Sequence, residues 1–344
     1  MKSILIRADG SFEIGMGHIS RMITISNYLS TNYLIYFVTV DNPKTRKFLE
    51  NIRFPVTWLN LNMETQHTQM FELIENNNIE LVINDIIDIK ENYLKCLKKD
   101  FPNLKIINYE DVHCGYNQYC DVIINPLAFL RERLTKEKTR HYQYLNDLDY
   151  FIFPQDLQTS KNKVVSEKIK EILIFMGGAD TRHITLKVLK ILCSQDLSFY
   201  NITVLLGPFM DKFDILEVKK YKTKIPHLKV FHEVPEVISF YENTDLCFCA
   251  GGNVLLELIK SGVPTISVAA EEHEDIQCKY FSNKGLTLYG GYYQNINPVF
   301  LLDKFNKSND PILRKEIKTR SLSLFKSDGL PQIKKIINHL LLVD

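Results

Sequence analysis

The chain has 344 residues, 45% hydrophobic and 24% charged, with 42 basic and 41 acidic side chains for a net charge of +1. That length exceeds one ordinary domain and suggests two, in a soluble globular protein with a large core. The balanced charge gives no electrostatic reason to expect nucleic acid, no apolar run approaches the roughly 18 residues of a membrane span, and the opening MKSILIRADG, interrupted by Arg7 and Asp9, reads as a first strand and not a signal peptide.

The first β-rich run, residues 3–7, leads into DGSFEIGMGHISR and then into an amphipathic segment at 19–29. The order is strand, glycine-bearing loop, helix. Gly10, Gly15 and Gly17 let the backbone turn sharply and approach a ligand closely. A helix opening after Gly17 points unpaired N–H groups and a partial positive charge into the loop, which suits a phosphate or another anion. His18 falls in that first turn, where an uncharged imidazole is able to accept a proton. The same residues also read as an ordinary βα turn with a polar histidine opening a helix. The dinucleotide pattern G-x-G-x-x-G is not met, because Ser20 occupies its third glycine position.

Alternation of short β-rich runs with helical patterns continues along the first half and predicts a parallel α/β sheet. Strands are expected at 34–40, 56–59, 81–84, 105–108 and 122–125, and helices at 18–29, 43–51, 65–76 and 90–99. Asp85, Glu110 and Asp111 follow strands at their carboxyl ends, where open α/β sheets bind ligands, and equally suit turn caps. Residues 153–170 are polar and weakly periodic and are expected to link two domains, 1–153 and 171–344, with the last helix returning to the first domain.

In the second half strands are expected at 171–176, 202–206, 229–231, 246–249, 265–268 and 286–289. Helices are expected at 183–193, 211–221, 236–241, 253–261, 274–283, 311–325 and 330–342. Gly177-Gly178 and Gly251-Gly252 each follow a strand and precede a helix, so each exposes backbone N–H groups to a diphosphate or forms a tight turn with no ligand. The acidic cluster at 271–275 holds one histidine, but consecutive carboxylates do not converge on a metal, so a solvated helix start or a sugar-contacting loop is expected there. Seven scattered cysteines with no C-x-x-C pair read as buried free thiols of a cytoplasmic protein.

Arg7-Ala8-Asp9-Gly10-Ser11 followed by Ile14-Gly15-x-Gly17-His18-Ile19-x-Arg21 resembles the N-terminal signature of the nucleotide-sugar hydrolases of pseudaminic acid biosynthesis. Those enzymes act on UDP-2,4-diacetamido-2,4,6-trideoxy-β-L-altropyranose. Gly177-Gly178-Ala179-Asp180 and Ala250-Gly251-Gly252, with Glu257-Leu258 and Gly262-Val263-Pro264, resemble that family's nucleotide-binding segments, which are shared with the wider GT-B superfamily. Val254 departs from the threonine or serine usual at its place.

The resemblance implies a GT-B-like α/β fold, two Rossmann-like domains facing across a cleft. It implies a nucleotide-sugar substrate, no cofactor and no required metal, and His18 as the general base that activates water. The sugar side would include Asp9, Gly15, Gly17 and Arg21. The nucleotide side would include Gly177, Gly178, Asp180, Gly251, Gly252, Asn253, Glu257 and Gln277. A glycosyltransferase on the same fold, with an alcohol in place of water, is the alternative.

Overall fold

A computed structural model describes every residue except 12–14, 88, 110–117, 128–142, 160–163, 235 and 343–344. Ile14, Glu110 and Asp111, weighed above, and Cys114, one of the seven cysteines, lie outside the described residues. The chain divides into two units, Met1–Pro154 with Ser327–Asp344, and Gln155–Lys326.

The first unit contains β1 (Ser3–Ala8), β2 (Leu34–Val40), β3 (Val56–Leu59), β4 (Ile79–Asp85), β5 (Lys105–Tyr109), β6 (Val122–Ile124) and β7 (Gln143–Leu145). Its helices are α1 (Gly17–Leu29), α2 (Pro43–Phe48), α3 (Met63–Asn76) and α4 (Glu91–Asp100). All seven strands run parallel in the order β3-β2-β1-β4-β5-β6-β7. β1 is buried along its whole length, and β4 nearly so, because helices cover both faces of a parallel sheet. That double burial is why Ile4-Leu5-Ile6 and Leu81-Val82-Ile83 are continuous apolar runs without alternation.

The second unit contains β8 (Glu171–Phe175), β9 (Asn201–Leu206), β10 (Leu228–His232), β11 (Leu246–Ala250), β12 (Thr265–Ala269) and β13 (Leu288–Tyr292). Its helices are α5 (Ile184–Leu192), α6 (Lys212–Lys220), α7 (Ile238–Asn243), α8 (Asn253–Lys260), α9 (Glu272–Asn283), α10 (Pro298–Lys307) and α11 (Pro311–Leu322). The strands are again all parallel, in the order β10-β9-β8-β11-β12-β13. The last helix, α12 (Gly329–Leu342), belongs to the first unit, with Leu330, Ile333, Ile337 and Leu341 buried. Lys2 Nζ donates to the Leu341 carbonyl at 2.5 Å and Tyr33 to Asn338 Oδ1 at 2.5 Å, fixing the helix to the sheet's first strands.

The strand order reverses direction once in each sheet, between β1 and β4 in the first and between β8 and β11 in the second. Neighbouring loops part at such a switch point, and ligands of open α/β sheets bind outside the strands' carboxyl ends there. The glycine turns picked out in the sequence follow β1, β8 and β11, three of those four strands.

Several sequence expectations are corrected. β7 was not anticipated: it is a three-residue edge strand, too short to show a period, held by pairing of Val122 with Gln143. α10 was also missed, although its start is marked by Asn297, whose side chain accepts from Phe300 N, and by Pro298 in the first turn. The described parts of the stretch 153–170, where the chain passes from the first unit to the second, are packed. Phe153 is buried against Phe151, and Asp245 takes hydrogen bonds from Ser166 Oγ and from the backbone N–H groups of Lys170 and Glu171. Arg314 adds a 2.5 Å bond to the Ser166 carbonyl, so residues 164–170 are pinned to the second unit despite their polar composition.

Candidate functional site

At the first unit's switch point the loop after β1 closes on itself, Gly15 N–H donating to the Ser11 carbonyl at 2.9 Å. α1 starts two residues later at Gly17, with no side-chain cap and no acidic residue in its first turn. Its positive end is therefore not quenched by the helix's own side chains. His18 in that turn meets Asp85, the last residue of β4, with Nδ1 2.7 Å from Oδ1. The two sides of the switch point thus contribute one residue each.

Arg21, one turn further along α1, grips the same carboxylate with both Nε (2.5 Å, to Oδ2) and a terminal nitrogen (2.6 Å, to Oδ1). The side chain of Asp85 is fully buried, that of Arg21 is 5% exposed and that of His18 15% exposed. Burial alone would raise the Asp85 pKa. The charge of Arg21, and hydrogen bonds from Arg21 and His18, outweigh it and hold Asp85 below the ordinary carboxylate value. Arg21 also lies 2.9 Å from His18 Nδ1, but one ring nitrogen cannot both donate to Asp85 and accept from Arg21. The carboxylate is the stronger acceptor, so Nδ1–H donates to Asp85, and in the neutral ring the lone pair is then on Nε2. A histidine held by a buried carboxylate, with its far nitrogen unprotonated, can accept a proton in a fixed direction.

Arg21 is expected above on the sugar side, and the structure places it behind His18. It is buried, paired with Asp85, and stacked 4.9 Å from the ring centre of Tyr109. Asp9 likewise serves the loop, its Oδ1 accepting from Val40 N at 2.9 Å. Asp85 had been weighed only as a turn cap or ligand neighbour. Its pairing with His18 spans 67 positions, which no local pattern reveals.

In the second unit, Gly177 has φ 87°, a left-handed conformation that a side chain would strain, and Val254 of α8 packs beside it. The turns after β8 and β11 are therefore neighbours. Asp180 spends both carboxylate oxygens on α5, accepting from Ile184 N at 2.8 Å and Thr185 N at 2.6 Å. It therefore caps the helix that follows the Gly177-Gly178 turn.

Gly251 is required by close approach: a Cβ there would lie 2.7 Å from both Cys278 Sγ and Glu274 Cβ of α9. Gln277, buried on the same face of α9, donates to the Gly251 carbonyl at 2.7 Å and so braces the turn from behind. Glu274 Oε2 accepts from Ala270 N at 2.7 Å, and the carboxylate also bonds the Gly251 backbone. Burial nevertheless raises its pKa above the ordinary value. The sequence had left Glu274 inside an acidic cluster. The spacing of Glu274, Gln277 and Cys278 is the signal that one helical face meets the glycines.

Two other carboxylates of that cluster diverge, Glu271 to Arg182 and Asp275 to Lys279 and Tyr289. Gly252 and Asn253 open α8 with no side-chain cap. One turn on, Glu257 Oε2 accepts from Tyr241 at 2.8 Å. Burial drives its pKa up to about 7, against the pull of that hydrogen bond. Six cysteines of the described residues are free thiols, with Cys247, Cys249 and Cys278 buried. No helix among the described residues is long and apolar enough to cross a membrane.

No family model matches the chain. It is 27% identical over 279 residues to the uncharacterized protein MJ1062 of Methanocaldococcus jannaschii, covering 78% of this chain and 56% of that one. It is 27% identical over 288 residues to the spore coat polysaccharide biosynthesis protein SpsG of Bacillus subtilis, covering 82% of each. The UDP-2,4-diacetamido-2,4,6-trideoxy-β-L-altropyranose hydrolase of Campylobacter jejuni is 25% identical over 189 residues, 54% of this chain and 64% of that one. The matches thus span little more than half the length of MJ1062 and under two thirds of the hydrolase. Among solved structures, MurG of Acinetobacter baumannii superposes with a TM-score of 0.70 over 98% of this chain and all of its own, at 10% identity. The calicheamicin glycosyltransferase CalG4 gives 0.64 over 99% of each, also at 10% identity. The fold is therefore α/β and GT-B-like, with two Rossmann-like units, and the resemblance to the hydrolase family is supported by a relative of that name.

Proposed function

We propose that this chain is an enzyme acting on a nucleotide sugar. More narrowly, it is a hydrolase that splits a UDP-activated 2,4-diacetamido-2,4,6-trideoxyhexose into free sugar and UDP in pseudaminic acid biosynthesis. The observation that carries the reading is the His18–Asp85 pair at the first unit's switch point. Nε2 of His18 takes a proton from water as the water oxygen bonds to the anomeric carbon. The bond from that carbon to the diphosphate oxygen breaks, and its electron pair leaves with UDP. Asp85 holds the imidazole through Nδ1 and balances the charge that His18 gains. Asp85 and Arg21 are positioning residues, since neither faces the reacting atoms.

In the same reading the second unit holds the nucleotide. The uncapped start of α8 at Gly252 and Asn253 meets the diphosphate, and Glu257 meets the ribose. Hydrolysis in ¹⁸O-water tests the bond that breaks. Attack at carbon puts the label in the sugar's anomeric hydroxyl and none in UDP. Label recovered in UDP would mean attack at phosphorus and would remove His18 from this role.

A further inference from the structure

Each unit places a histidine at the start of the helix after its first strand and pairs it with a carboxylate from another element. The pair in the second unit, His183 with Asp214, has no part in the mechanism above. His183 is the N-cap residue of α5, with φ 55° and ψ 36°, a left-handed conformation uncommon outside glycine and asparagine. Its Nδ1 lies 2.6 Å from Oδ2 of Asp214 on α6. The Asp214 side chain is 2% exposed whereas that of His183 is 56% exposed, so a buried carboxylate anchors a ring whose other edge faces outward. The second Asp214 oxygen is buried without a hydrogen-bond partner.

Capping does not account for the imidazole. Its side chain makes no cap hydrogen bond, and the N–H groups of Ile184 and Thr185 are already served by Asp180. The position ties it to the glycine turns. His183 N–H donates to the Asp180 carbonyl at 3.1 Å, and Phe209, on the loop leading to α6, donates to the Gly178 carbonyl at 2.9 Å. The basic neighbours Arg182 and Lys187 are engaged with Glu271 and the Tyr293 carbonyl.

We infer that His183, as the imidazolium, is a diphosphate ligand, its outward Nε2–H donating to a phosphate oxygen of a bound nucleoside diphosphate while Nδ1–H donates to Asp214, which fixes the ring. Asp214 is the positioning residue. The inference rests on the reading that the second unit holds the nucleotide, and names a residue for that task.

Calorimetric titration of the full chain with UDP, and separately with inorganic pyrophosphate, tests it in His183→Asn. Asparagine tolerates the left-handed backbone and removes the imidazole. Affinity for both ligands is expected to fall about tenfold, the loss of one charge-assisted hydrogen bond, with the melting temperature unchanged. Asp214→Asn should weaken both in the same sense but less. If the asparagine variant melts early, His183→Gly, which relieves the backbone, is read in its place. Wild-type affinity in the stable variant overturns the inference and leaves the proposed function standing. A wild-type chain that binds neither ligand overturns the nucleotide reading itself, and this assignment with it.

Discussion

A proton-accepting histidine is useful only if its ring cannot rotate and its acceptor nitrogen faces the substrate. For His18, the proposed base, a buried carboxylate locked by a two-pronged arginine supplies that constraint. His18→Asn is expected to lower kcat by roughly 10²–10⁴, the loss of a positioned base, while UDP affinity stays near wild type. Turnover close to wild type, with only a lowered melting temperature, would reduce His18 to a helix-opening residue. Asp85→Asn should slow turnover too, and should destabilise the fold by about 3–5 kcal/mol, because Arg21 is left as an uncompensated buried charge. The pKa of Asp85 is depressed in the folded state. Its stabilisation is thus present above the ordinary carboxylate value and is lost as pH falls through the lower folded one. Melting temperatures across the acid range should therefore drop less steeply in Asp85→Asn than in the wild type.

At the scale of elements, turns and caps carry the site. Asp180→Ala removes the acceptor for two backbone donors of α5 and should cost roughly 1–2 kcal/mol in thermal or urea unfolding. An unchanged stability would return Asp180 to the list of ligand contacts. Glu257 on α8 behaves in the opposite sense to Asp85. Its folded pKa is raised from 4.5 to about 7, so its contribution to stability is complete below about 4.5 and is lost as pH rises through 7. Glu257→Gln keeps an acceptor for Tyr241 and should flatten that fall, leaving the variant the more stable protein above pH 7. The sequence revealed these elements unevenly. Continuous apolar runs ending in glycine turns marked β1, β8 and β11, because central parallel strands are buried on both faces and their loops must bend sharply. The roles of Arg21 and Glu274 stayed hidden, since Arg21 is fixed by Asp85 on β4 and Glu274 packs on the Gly251 turn. A charged residue beside a glycine turn looks the same in sequence whether it faces a ligand or holds the turn.

For the molecule as a whole, the path of the chain matters most at its far end. The second unit ends at Lys326, and the final helix completes the first unit with four buried apolar side chains and with bonds to Lys2 and Tyr33. Removing residues 327–344 from the full chain should therefore unfold the first unit selectively. Amide exchange would show protection lost in β1 and β2 and kept in β8 and β11; uniform protection would mean that the helix is dispensable. In the proposed reaction water, giving up a proton to His18, is the second substrate. The most direct measurement of this is the release of UDP from a UDP-2,4-diacetamido-2,4,6-trideoxyhexose with no acceptor present, in the wild type and in His18→Asn side by side. The account predicts UDP and free sugar in equal amounts from the wild type and a rate at least about 100-fold lower from the variant. Release that begins only when an alcohol acceptor is added, or a variant as fast as the wild type, would contradict it.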